Sequence, residues 1–562
     1  MKKKIIIKLL LICSLFSSCN DFLTEKQYDF IGPDLVGDSE DAKEYWLNGV
    51  YHTFNAGKYF QYGGFTKMWE MDNDDITGPD WAMSAVGAAN FQGFWAADYI
   101  WDGPYEVVHR ANQALLKIES MASLTEDSKK DAVGQLYFLR AFAYFQLVRA
   151  YGACPIHVLP VSEGDEPNQP RASVEQVYTQ IINDLKLAET LMHSTKDKEY
   201  KIGRPGYGAA SLLLAKVYLT MASGAAPAGT EVIIMGGPAV TSQDGKTMKI
   251  SKPVPITHYK NVIAGYEKFD SKEYFLLARN KALELIESGE YDIFQTWNEV
   301  WKFENRNTVE HVFSLQAIPV DELLGNTVAY EFVGMTDLTT MNRIEGAWCG
   351  LRDHWYELFE EKDSRIVDGV IHRWTWPGAN GQYRYYPSKH KDKVELQDPL
   401  YGYKKEDIFI DDVNSNAKLT KFFCTSKPEE KFSDYHYPWL RYAEALLIFA
   451  EAENEVNNGP TTDAYKQLNR IRTRSNASKA PASMNQTEFR SYVLEERRRE
   501  LALEGNRRWD LIRWGVYMQV MNAIDIDENN VVKRRENRHL LFPIPVSEID
   551  ANKAISENNP GW

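Results

Sequence analysis

Residues 131–151 leave a helix almost no polar face: Leu136, Phe138, Leu139, Phe142, Tyr144, Phe145, Leu147 and Val148 crowd one short stretch. A helix that is apolar nearly all round has to lie inside the protein. The rest of the chain must therefore supply layers on every side of it. With 562 residues, 44% of them hydrophobic, there is ample material for that core, in one large domain or two intertwined ones.

Helical periodicity supplies those layers. It predicts helices over 41–54, 105–121, 174–192, 205–220 and 274–288, the last stopped by Gly289, and again over 440–456, 463–474 and 487–504, closed by Gly505. Ala209, Ala210 and Ala215 give the 205–220 helix a small-residue face that permits close approach of a neighbour. Between these runs, 57–101 is irregular and aromatic, and 224–265, rich in Gly, Pro, Val and Ile, reads as an insertion with loop or hairpin character. From 291 to 431 the helical period mostly fails. One strand is expected there, over 310–316, with Val312, Ser314 and Gln316 alternating against His311, Phe313 and Leu315. The expected class is mainly α, with tetratricopeptide-like helix pairs in one discontinuous superhelical domain. Residues 41–222 and 438–562 form its helical scaffold, and 223–437 hold insertions and loops with one helix.

The first eighteen residues stand apart. Lys2, Lys3, Lys4 and Lys8 precede an apolar run too short to span a bilayer, and Ser17 and Ser18 precede Cys19. This resembles a bacterial lipobox, with Phe16 where Leu is usual, so 1–18 is expected to be a cleaved signal peptide and Cys19 the acylated anchor of a tether over 19–40. The formal net charge of −15 becomes more negative once those four lysines leave, which excludes a nucleic-acid partner held through phosphates. Cys154, Cys349 and Cys424 are far apart and imply no disulfide framework.

No HExxH, Walker loop, GxSxG elbow or dinucleotide glycine fingerprint is present. No histidine stands at zinc-site spacing from another histidine or a cysteine. No cofactor and no metal are therefore expected, and the chain is not read as an enzyme. The acid cluster Asp72, Asp74 and Asp75 keeps open a glycosidase reading, which needs two carboxylates facing one sugar bond.

The ends of the chain are more specific. Arg140-Ala141-Phe142-Ala143-Tyr144-Phe145-Gln146-Leu147-Val148-Arg149-Ala150-Tyr151-Gly152 with Pro155, and Arg441-Tyr442-Ala443-Glu444-Ala445, form two ordered motifs. Leu468-Asn469-Arg470-Ile471-Arg472 and Glu496-Arg497-Arg498-Arg499-Glu500 come next, then Glu504-Gly505-Asn506-Arg507-Arg508-Trp509-Asp510. The chain closes on Phe542-Pro543-Ile544-Pro545 and Asn558-Asn559-Pro560-Gly561-Trp562. Together with Cys19-Asn20-Asp21-Phe22-Leu23, these resemble the SusD/RagB family of Bacteroidetes nutrient-binding lipoproteins. The match weakens over 224–265 and 347–431, and Asn558 stands where Gln is more familiar.

The resemblance implies an α-helical lipoprotein on the cell exterior, anchored in the outer membrane. It would bind an extracellular glycan, or on the same scaffold a peptide, and sit as a lid on a SusC-like TonB-dependent transporter. Glu504, Arg507, Asp510 and Arg513 recur three apart and read as ion pairs along one helical face. A sugar offers apolar faces fringed with hydroxyls, so its binder needs exposed aromatics with amides and carboxylates beside them. The family's binding aromatics commonly come from the loop after the first helix and from around the 310–316 strand. Trp81 is the foremost candidate, followed by Trp301 and Trp95, with Asp72, Asn73 and Asp75 as polar partners. For Trp348, Trp374 and Trp376, in the unmatched centre, the resemblance gives no guidance.

Overall fold

A computed structural model describes residues 36–562 apart from 57–58, 60–62, 239, 242–247, 250–251, 320–323, 388–407 and 411–415. The expected signal peptide, Cys19 and most of the tether lie outside the described residues. The fold is mainly helical. Helices α1 (Glu40–Ala56), α2 (Tyr99–Ser120), α3 (Glu126–Tyr151), α4 (Val174–Leu191), α5 (Tyr207–Ala225) and α6 (Ser271–Ser288) succeed one another. Each packs against the next, as paired helices of a superhelix do.

The apolar run over 131–151 is the greater part of α3. Thr125 caps the start of this helix by accepting a hydrogen bond from Ser128 N–H, and Gly152, at φ +69°, ends it. Every residue from Ala132 to Tyr151 is buried except Tyr137, walled by α2 and α4 and by Phe313 and Trp439 against Phe142. In α5, Ala209, Ala210 and Ala215 are all buried where the helix packs among its neighbours, and next to them a Cβ on Gly208 would lie 2.5 Å from the Tyr291 ring.

The C-terminal half closes the superhelix. Helix α7 (Tyr442–Val456) packs on α6, α8 (Thr462–Arg474) and α9 (Gln486–Glu500), and α10 (Arg507–Arg513) meets α5. Several boundaries differ from the sequence expectation: α2, α3 and α6 start earlier, at Tyr99, Glu126 and Ser271, α5 runs on to Ala225, and two more differ in the C-terminal half. Leu440 and Arg441 belong to a strand, Tyr437–Arg441, paired antiparallel with His311–Leu315. Helix α9 stops at Glu500, four residues early, and Gly505 turns the chain at φ +71°. The His311–Leu315 strand is buried on both faces, because helices cover one side and the ion-pair network the other, so its alternation does not divide core from solvent. The 224–265 insertion contains an antiparallel hairpin, Glu231–Gly236 with Val254–Tyr259, laid on α9.

Helix α9 is an unusual core helix, since from Val493 to Glu500 it is buried yet mostly charged. Each charge has a partner, as burial demands. Glu496 meets Arg365 and Arg472 at 2.6 Å each, Arg497 meets Asp510 at 2.8 Å and Glu444 at 2.9 Å, and Glu500 meets Arg441 at 3.1 Å and Arg365 at 3.3 Å. The expected ladder Glu504–Arg507–Asp510–Arg513 survives only as Asp510–Arg513, at 2.9 Å. Glu504 precedes α10 and pairs instead with Arg441 and Lys421, while Arg507 pairs with Asp74.

Candidate functional site

The short helix Gly64–Glu70 delivers the chain into the segment holding Asp72, Asn73 and Asp75, which the structure places inside the protein. Asp72 accepts from Arg508, from Arg535 at 2.9 Å and from Tyr517 at 2.6 Å. Asp74 pairs with Arg507 at 2.6 Å, and Asp75 with Arg498 at 2.6 Å. Burial alone would raise the Asp72 carboxyl, but Arg508 and Arg535 hold it below its usual value. Burial pushes Asp75 up, with Asp74 adding to it. Asn73 caps its own turn: its amide donates to Glu70 O at 2.6 Å and its Oδ1 accepts from Asp75 N–H at 2.8 Å. The expected polar ligand contacts are corrected accordingly. The helix-borne arginines of the C-terminal half need counter-ions, and these side chains supply them.

That anchoring fixes the next stretch of chain. Ile76–Thr77 pairs with Gly350–Leu351, and Gly78 lies so close to Trp348 O and Cys349 Sγ that a Cβ would come within 3.0 Å of each. Pro79 then starts a single helical turn, Asp80–Met83, which lifts Trp81 out of the protein. Trp81 is 65% exposed, and Trp348, 38% exposed, stands 5.0 Å from it with the rings at 72°. Two large apolar rings set nearly at right angles on a fixed backbone make an open aromatic corner.

Trp348 is itself held from below. Ala347 N–H donates to Tyr330 O at 3.0 Å, and Gly346, at φ +91°, lies where a Cβ would be 2.6 Å from that oxygen. Ala347 also has positive φ, 58°, a conformation unfavourable for a residue with a side chain and often found at functional sites. Tyr330 donates its hydroxyl to Glu345 at 2.8 Å. Burial, then Glu345, pushes the Tyr330 phenol up to about 12.

Trp95 is 58% exposed and packs edge-on to Tyr99 at 5.5 Å. Its loop is pressed on the same Gly64–Glu70 helix, where a Cβ on Gly64 would meet Ala96 and Tyr99 within 2.8 Å. On the far side Gly63 touches Glu331, the neighbour of Tyr330, and Glu331 pairs with Lys67 at 2.9 Å. The Trp95 loop and the segment holding Tyr330 thus both pack on this one short helix.

Trp301 is not brought to this surface. It is half-buried beside Trp297 and His311, with the Arg441 guanidinium 5.3 Å and the Lys421 ammonium 5.1 Å from its ring. Its ring covers the charged network, where cations over an indole face are favourable. Trp348, Tyr330 and Glu345 were missed by sequence reasoning. The one signal available was the Gly346-Ala347-Trp348 turn, a bulky aromatic after a glycine in a segment without helical period.

A cavity of about 860 Å³ opens elsewhere, on α1. Its cations serve the scaffold, Arg110 bonding to Glu106 and Gly49 O, and Arg204 to Glu44 and Asn48. The aromatic corner offers two exposed tryptophan rings side by side and is the better candidate for stacking a sugar. The described residues contain no group of three or more His, Cys, Asp or Glu arranged to hold a metal ion.

Fold and site together define a helix-pair scaffold protein that presents a rigid, exposed aromatic surface. Comparison with known proteins gives it a family. The model described as the SusD family matches residues 351–562, and one described as starch-binding, associating with the outer membrane, matches 41–219. The chain belongs to the SusD/RagB family. A SusD-like protein of Formosa agariphila is 22% identical over 99% of this chain and 98% of its own length. A SusD homologue from Bacteroides thetaiotaomicron superposes with a TM-score of 0.70 at 21% identity, over 93% of this chain and 97% of that one. Surface glycan-binding protein A from Bacteroides fluxus superposes with a TM-score of 0.65 at 18% identity, over 94% and 100%.

Proposed function

We propose that this chain is a cell-surface lipoprotein that binds an extracellular glycan and delivers it to a SusC-like TonB-dependent transporter in the outer membrane. The observation that carries the reading is the perpendicular Trp81–Trp348 pair, exposed on a backbone that ion pairs and a strand pair hold rigid. Exposed tryptophans cost solubility unless they bind something, and a sugar's C–H face matches an indole in size and polarity. Trp95 extends the surface. The functions for which its relatives are named run the same way: glycan binding for the Bacteroides fluxus protein, laminarin binding for another structural neighbour.

In this reading the protein acts by holding its ligand, without turnover. The acids of the 72–75 segment are buried and paired with arginines, out of reach of a sugar on the surface. Anchoring rests on Cys19, and Cys19→Ala is expected to release the protein from the membrane fraction. Affinity electrophoresis against a panel of polysaccharides, with calorimetry against a peptide panel beside it, tests the ligand class. Retardation by a polysaccharide is the expected result, and binding confined to peptides would overturn it.

A further inference from the structure

The aromatic corner carries one oriented polar group. Glu345 is exposed and ends the strand Asn342–Glu345, which pairs with Met335–Asp337 just after Tyr330. One carboxylate oxygen, Oε1, takes the Tyr330 hydroxyl at 2.8 Å. Tyr330 is 7% exposed, and its backbone carbonyl takes the N–H of Ala347, the residue before Trp348, at 3.0 Å. Tyr330 thus does two things: its buried hydroxyl sets the direction of the exposed carboxylate, and its backbone carbonyl holds the turn that carries the exposed ring. A carboxylate has about four acceptor positions, so one bond to Tyr330 leaves most of its capacity to the outside. It has no donor to offer.

Resting on the glycan reading, we infer that Glu345 is the polar specificity determinant of the corner and selects neutral glycans. Its carboxylate accepts hydrogen bonds from hydroxyls of the sugar laid on Trp348, and it repels a sugar carrying carboxylate or sulfate. Asp80, exposed next to Trp81 in the chain, adds negative charge near the ring pair. Of the cations near the corner, Lys67 is committed to Glu331, Lys431 lies over the Tyr330 ring at 5.2 Å, Lys418 donates to the Cys349 carbonyl, and Arg343 lies over the Trp374 ring at 4.8 Å. Tyr330 is a positioning residue: it holds Glu345 through its hydroxyl and the turn before Trp348 through its carbonyl, and acts through them.

The test uses the full chain with laminarin, soluble starch and galactomannan as neutral probes, and alginate, polygalacturonate and carrageenan as anionic ones. The wild type is expected to bind at least one neutral probe and to bind the anionic ones at least tenfold more weakly. Glu345→Ala should lose roughly ten- to a hundredfold in affinity for that neutral probe, the scale of a hydrogen bond to a charged group. Glu345→Gln, which keeps an acceptor and drops the charge, should lose less and narrow the neutral-to-anionic ratio. Tyr330→Phe should weaken neutral binding and narrow the same ratio at unchanged melting temperature, a shift that a purely structural tyrosine would not produce. Preference for an anionic probe, or Glu345→Ala binding like the wild type while Trp348→Ala does not bind, overturns this inference and leaves the glycan reading standing. Failure of every polysaccharide to bind overturns both.

Discussion

Replacing Arg441 by Met should remove a large fraction of the protein's stability without touching any apolar contact of the core. Arg441 has no exposed side-chain surface. Its guanidinium donates to Glu504 at 2.7 Å and 3.1 Å, to Glu500 Oε1 at 3.1 Å, to the Glu500 carbonyl at 2.9 Å and to Glu310. Met keeps most of the stem's length and leaves three buried carboxylates short of a cation, with Arg474, Arg365 and Lys421 remaining to share among them. Breaking a buried pair on one side costs about 3–5 kcal/mol, against a total of about 5–15 kcal/mol for a native domain. Urea unfolding followed by tryptophan fluorescence reads the loss. Lys268→Ala serves as the control, because its pair with Glu175 is mostly exposed and should be worth under about 1 kcal/mol. Adding Glu504→Gln to Arg441→Met should recover part of the loss by removing one uncompensated charge. If Arg441→Met costs no more than the control, the network is hydrated or dispensable, and it does not hold α9 against the Tyr437–Arg441 strand.

Glu70 accepts from Tyr437 at 2.8 Å and from Gly505 N–H, and burial pushes its carboxyl from 4.5 up to about 7. The folded state therefore binds this proton more tightly than the unfolded one, and stability from this group falls as pH rises from about 4.5 through about 7, by about 3 kcal/mol in all. Glu70→Gln should be more stable than the wild type at pH 8 and should converge with it below pH 4.5, as thermal melts across pH would show. Trp509, buried 4.4 Å from Trp69 and beneath the Arg149 guanidinium, should cost about 3–5 kcal/mol on truncation to Ala, measured by denaturant unfolding.

The scaffold was legible because local rules and burial agree along it: α3 has almost no polar face, Gly289 ends α6 at φ +63°, and small residues mark the close approach of α5. The hairpin in 224–265 was legible from composition, though its register was not. The charged motifs misled. Spacing of three suggested a ladder on one helix, whereas Glu504 and Arg507 pair with residues far away in the chain. The same long-range pairing moved Asp72 and Asp75 from the expected site into the core, since a sequence does not say which arginine faces which acid. Trp81 stood out through its Gly-Pro-Asp approach. Its neighbour Trp348 did not, because the pairing depends on Ile76–Thr77 meeting Gly350–Leu351, a contact between segments in different halves of the chain.

The most direct measurement is calorimetric titration of wild type and Trp81→Ala with the polysaccharide selected by affinity electrophoresis. An aromatic corner that binds glycan predicts that Trp81→Ala loses roughly 1–3 kcal/mol of binding, as an exposed hot-spot aromatic does, while it folds and unfolds like the wild type. Unchanged affinity in Trp81→Ala would contradict this and remove the aromatic corner as the place where ligand binds.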